Sequence, residues 1–161
     1  MNKKISLFFV GIIVASVFMA CSNDDEYKSK VPNFSGIEFN RDTLYTEQTI
    51  VATAVQREKA KLVDRTEYNW YSADMPSDST MKWTNAVLYP SNPTNPTCTF
   101  QTPSRAGFYT LTFHGSYNIS GQSGSSTSSL NIEDGTITYE YTPLKAYVTI
   151  NKTFKVVARK H

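Results

Sequence analysis

The chain is poor in the side chains that carry most enzymatic chemistry. It has two His and two Cys in 161 residues. His114, His161 and the single cysteines Cys21 and Cys98 lie too far apart for any zinc-ligand spacing. No Gly-x-Ser-x-Gly occurs, so a hydrolase nucleophile elbow is excluded. The few glycines form no phosphate loop: Gly121 and Gly124 sit in a Ser-rich run without a following Lys and helix. Charge of one sign is also lacking. Without residues 1–20 there are 14 Lys and Arg against 14 Asp and Glu, which disfavours a nucleic-acid partner. Only one long apolar run exists, residues 5–20, and it is short of the roughly 20 residues that span a bilayer.

The remaining routes to catalysis are thin. Cys98 and His114 are the one thiol–imidazole option, and no orienting third group is evident. Glu38, Asp42, Glu47, Glu58, Asp64, Glu67 and Glu140 are scattered rather than paired, as glycoside cleavage would need. Asn131 to Gly135 and Asp74 to Asp78 each offer fewer than half the oxygens that calcium takes. The expectation is therefore no enzyme, no metal and no cofactor. Cys98 reads as a small core residue. His114 reads as a half-exposed strand histidine.

What is present begins with an address. Lys3 and Lys4 precede the uncharged run 5–20, the pattern of a secretory leader. The chain divides into a leader (1–20), a polar tether (21–35) and a folded body (36–161). The body alternates Thr, Val, Tyr and Phe with period two, the mark of half-buried strands. Strands are expected at 36–39, 49–55, 66–72, 82–89, 97–102, 107–117, 136–141, 146–150 and 154–158. Residues 56–63 read as a loop with a helical turn. The Ser-rich stretch 120–129 reads as a flexible loop. Short strands with turn signals at near-regular spacing predict an all-β fold, a single antiparallel sandwich of about 7–9 strands.

Several resemblances sharpen this. Phe18-Met19-Ala20-Cys21 resembles a bacterial lipobox, which implies a lipid anchor on Cys21 and membrane association through it. Asp24, Asp25 and Glu26 are similar to the export tag of Bacteroidetes surface lipoproteins, which implies an outer-membrane protein displayed at the cell surface. Trp70 resembles the core Trp of immunoglobulin-like domains, and Tyr109 their corner tyrosine. Tyr68 to Tyr71 with Ala106 to Tyr109 is similar to the polycystic-kidney-disease-like branch of that fold, although the Asp-Phe-Gly-Asp run of that branch is absent. Leu111 stands where antibody domains carry a Cys. Asp42-Thr43-Leu44 and Asp78-Ser79-Thr80 resemble acceptors of Bacteroidetes O-glycosylation, which implies modification of Thr43 and Ser79.

Aromatics are the last signal. Sugar rings stack on exposed Tyr and Trp faces, which makes Trp83, Tyr139 and Tyr141 candidate ligand contacts. The alternative is that Ile137, Tyr139 and Tyr141 form the inward face of a strand. The expected function is a lipid-anchored cell-surface binding or scaffolding module with a glycan or surface-protein partner. The alternatives are a structural subunit of a surface assembly and, less favoured, a small glycan-active hydrolase.

Overall fold

The computed structural model describes residues 27–75, 81–82, 87–88 and 96–159. All regular structure among them is strand. In chain order these are β1 (Asn33–Phe39), β2 (Leu44–Tyr45), β3 (Thr49–Glu58), β4 (Arg65–Tyr71), β5 (Met81–Lys82), β6 (Val87–Leu88), β7 (Thr97–Gln101), β8 (Gly107–Asn118), β9 (Ser126–Ile132), β10 (Gly135–Tyr141) and β11 (Lys145–Val157). They form two sheets. The smaller has the order β1-β3-β7-β5, and the larger β6-β4-β8-β11-β10-β9. Pairing is antiparallel except where β2 runs parallel to the end of β11. First, third and seventh strands on one side, with fourth, eighth and eleventh on the other, is the immunoglobulin-like arrangement. The hairpin β9–β10 is inserted before the last strand and widens the larger sheet.

Alternation builds the core. Along β8, Tyr109, Leu111, Phe113 and Tyr117 point inward and are buried. Tyr68 and Trp70 of β4 join them on one side, and Val148, Ile150, Phe154 and Val156 of β11 on the other. The smaller sheet contributes Phe34, Ile37, Ile50, Ala52, Ala54, Cys98 and Phe100. Three aromatic contacts bridge the sheets, Phe100 with Phe154 at 5.9 Å among them. Phe34 meets Phe113 with ring centroids 5.3 Å apart, and Phe39 meets Phe154 at 5.2 Å. Such tilted and edge-on pairs add to the area they bury.

The chain reversal into β8 is pinned by Tyr109, whose hydroxyl donates to the Arg105 carbonyl at 2.9 Å. Its ring folds back over Gly107. The motif recurs eight residues on, where the Tyr117 ring lies over Gly115. A Cβ on Gly115 would stand 2.7 Å from the Tyr117 oxygen. Tyr109→Phe removes the corner bond while keeping the ring. It is expected to cost about 1–3 kcal/mol in a urea unfolding curve, and an unchanged midpoint would remove the bond's structural role.

Five expectations need correction, the first being a single strand at 82–89: β5 pairs with β7 in the smaller sheet and β6 with β4 in the larger. Ser-rich 120–129 is not one loop: β9 starts at Ser126 and pairs with β10 over its full length, supported by a Ser129–Thr138 hydroxyl contact of 3.0 Å. The two strands expected at 146–150 and 154–158 are one, β11. No helical turn interrupts 56–63; β3 runs through Glu58, and Lys61 bridges to Lys30. The tether ends early. Ser29, Val31, Pro32 and Phe34 are buried, and the Ser29 hydroxyl donates to the Leu62 carbonyl while accepting from the Ser120 amide at 2.8 Å.

Candidate functional site

The sites expected from sequence fall in different places. Cys21, Asp24, Asp25, Glu26, Ser79 and Trp83 lie outside the described residues. Thr43 is exposed in the bend before β2. Trp70 is a buried core residue. Tyr139 and Tyr141 lie on the inner face of β10, half-buried beside residues 28–33. They line two shallow clefts of about 310 and 240 Å3 that share Tyr141. The Tyr139 hydroxyl accepts from the Phe34 amide at 3.0 Å, which ties the edge of the smaller sheet to the hairpin. Burial pushes the phenols of both tyrosines up.

Cys98 and His114 are kept apart by the core. Cys98 points inward from the smaller sheet, and burial pushes its thiol up to about 12. His114 points outward from β8 on the larger sheet. A thiol that stays protonated and has no imidazole beside it is no nucleophile. Among the described residues no cluster of His, Cys, Asp and Glu could hold a metal ion. No helix among them is long and apolar enough to cross a membrane.

The surface that emerges instead is the outer face of the larger sheet. Register aligns its side chains into rows that cross five strands. One row is Asn69, His114, Thr149, Thr138 and Ser129. The next is Tyr71, Thr112, Asn151, Thr136 and Asn131. Four interstrand gaps make each row about 19 Å wide. Neither row contains a charged residue. The row above them, Glu67, Ser116, Tyr147, Glu140 and Thr127, brings the first carboxylates.

The face is ordered by its own hydrogen bonds. Thr112 donates to the Asn151 side-chain oxygen at 2.8 Å, and the Asn151 amide reaches Thr136 at 3.4 Å. His114 Nδ1 lies 3.1 Å from the Thr149 hydroxyl. The His114 ring stacks on Tyr147 with centroids 5.6 Å apart and planes 23° from parallel. Tyr71 is 39% exposed at the β4 end. Below it, the Asp74 carboxylate accepts from the Thr110 amide at 2.9 and 3.0 Å and anchors the loop that follows β4.

Burial holds the His114 imidazole below its ordinary value, and the Glu140 carboxylate opposes that shift only in part. The imidazole is therefore neutral at neutral pH. The unfolded chain binds a proton near pH 6.5 while the folded one resists it, so stability falls as pH drops below about 6.5. His114→Gln is expected to flatten that limb, read as urea midpoints at neutral and mildly acidic pH. The same pH dependence in both proteins would assign it to other groups.

The sequence singles out members of this face only separately, His114 as a base and Asn131 in a turn of oxygen ligands, and not as one surface. The one available signal was the polar half of the β8 alternation, Thr110, Thr112 and His114, opposite Tyr109, Leu111 and Phe113.

Fold and surface together define an all-β sandwich whose larger sheet carries two charge-free rows of hydroxyl and amide side chains across its outer face. The chain matches no family model, no curated protein and no solved structure.

Proposed function

We propose that this protein is a non-enzymatic recognition module that binds a neutral glycan chain across the outer face of its larger sheet. The observation that carries the reading is the pair of charge-free rows, with the His114 ring of one stacked on Tyr147 in the row above. A neutral sugar polymer offers what such a face can engage: many hydroxyls to bond and flat ring faces to stack on Tyr147 and Tyr71. Hydroxyls and amides already held by neighbours lose little freedom when a ligand binds. A broad shallow face also suits a long polymer better than a small molecule, which prefers a deep pocket. The leader, the lipobox-like Cys21 and the acidic residues behind it support display of this face at the outer surface of a cell, with the lipid as mooring.

The test is affinity electrophoresis in gels containing neutral polysaccharides. Retardation is expected, insensitive to salt because no ion pairs form. Tyr147→Ala is expected to weaken it at least tenfold without loss of fold by circular dichroism. No retardation by any neutral polysaccharide, or retardation unchanged by Tyr147→Ala, overturns the reading.

A further inference from the structure

The hairpin β9–β10 leaves β9 as the last strand of the larger sheet. β9 is bonded to β10 on one side and to no strand among the described residues on the other. Unpaired strand edges are templates for pairing, and proteins blunt them with Lys, Pro, bulges or a covering element. The edge of β1 shows such devices: a bulge at Phe34–Gly36 and the Tyr139 hydroxyl on the Phe34 amide. β9 shows none. Ser-Thr-Ser-Ser-Leu-Asn-Ile has no charge and no proline, keeps continuous register, and is exposed at every position but Ile132.

We propose that β9 pairs with β9 of a second copy, antiparallel about Ser129, to join the two larger sheets into one. The sequence matches itself in that register. On the inner face Leu130, 56% exposed, falls beside Ser128 of the second copy, and Ile132 beside its Ser126. Those two serines are the small neighbours of Tyr139 and Tyr141 across the hairpin. Each copy thus lays Leu130 over the other's half-buried Tyr139, while Ile132 stays packed over Gly36 in its own core. On the outer face Ser129 meets Ser129, and Thr127 meets Asn131, with no like charges opposed.

Charge complementarity favours the antiparallel sense and a second copy over an arbitrary peptide. The acidic turn Glu133–Asp134 follows β9 at one end. Lys28 and Lys30 line the cleft with Ser126 at the other, and the two ends stay opposite in net charge after the Lys30–Glu58 and Lys152–Asp134 pairs are counted. Antiparallel pairing brings each acidic turn to the lysine-lined end of the other copy, whereas parallel pairing would set acid beside acid. The contact is two-fold and self-complementary, so it closes at two. The outer faces of the copies become one surface, though the pairing does not depend on what that surface binds.

Sedimentation of the full-length chain in mild detergent tests this. The wild type is expected to run as a dimer and Ser129→Lys, which sets two ammonium groups on the axis, as a monomer. An equimolar mixture of Ser129→Lys and Ser129→Glu is expected to regain the dimer, which shows that the variants fold. Ser129→Cys is expected to cross-link to itself, because directly opposed Cα atoms about 4.5–5.5 Å apart suit a disulfide. Thr127→Cys, offset from its own copy, is not. A wild-type monomer at micromolar concentration, a dimer indifferent to Ser129→Lys, or a β9 edge that captures added peptide while the protein stays monomeric overturns the proposal.

Discussion

Phe113→Ala is expected to destabilise the fold by about 3–5 kcal/mol, the range for deleting a buried aromatic ring. Phe113 is fully buried in mid-β8, between Trp70 on β4 and Ile150 on β11. Its ring has three aromatic neighbours, at centroid separations of 5.0 Å to Trp70, 5.3 Å to Phe34 and 5.4 Å to Tyr68. Phe34 belongs to the opposite sheet, so the ring is a contact between layers as well as within one. The neighbours are themselves held: Phe34 by the hydrogen bond its backbone N–H donates to the Tyr139 hydroxyl, and Trp70 and Tyr68 by strand register. They cannot all collapse into the space, and the residual cavity adds its own cost. A domain whose total stability is about 5–15 kcal/mol would lose a large share of it. Urea unfolding at fixed temperature reads the change. A loss below about 1 kcal/mol would show that the neighbours do close over the gap.

Gly135→Ala is the second large effect, and it arises from crowding. Gly135 follows the turn Glu133–Asp134, where Asp134 takes a φ of 58°. It is squeezed between Ile132 on β9 and Lys152 on β11. A Cβ there would overlap the carbonyl oxygen of Asn151 and stand 3.0 Å from its carbonyl carbon and 3.3 Å from the Lys152 Cα. These are backbone atoms of a strand bonded on both sides, so they cannot yield as a side-chain tip can. Overpacking of this kind costs roughly 1–3 kcal/mol, and more where backbone must move. The upper end is expected, concentrated in the hairpin. Hydrogen exchange should show β9 and β10 amides losing protection ahead of those in β4 and β8. Uniform loss across the sheet would mean the hairpin and the sandwich unfold as one unit.

The strands that bury one face were legible. The alternation of β8, β4, β7 and β10 sets large apolar side chains against Thr, Glu and Asn, and each was placed within a few residues. β9 was hidden for the opposite reason. Both its faces meet solvent, so burial imposes no pattern, and serines that hold a strand chiefly by backbone pairing look like serines in a linker. β11 read as two strands because Lys152 breaks the apolar alternation. The structure places Lys152 on the inward row at the sheet margin, where its ammonium reaches Asp134 at 3.7 Å. Residues 29–34 read as tether because Ser29, Pro32 and Asn33 carry no period, yet Ser29 is fixed by loops distant in sequence. The outer face was illegible for a deeper reason. Asn69, His114, Thr149, Thr138 and Ser129 are unremarkable one by one, and only the register of five strands puts them in line. Tyr139 and Tyr141 were singled out for their chemistry, but which way they face was set by the same register.

The long strand β11 is bonded to β8 from Lys145 to Val156, and its other side is divided between β10 and β2. A pull along its axis cannot unzip it from one end, because the antiparallel bonds to β8 and the parallel ones to β2 lie across the load and must slide together. A load applied along this strand would therefore be resisted by shear of many bonds at once.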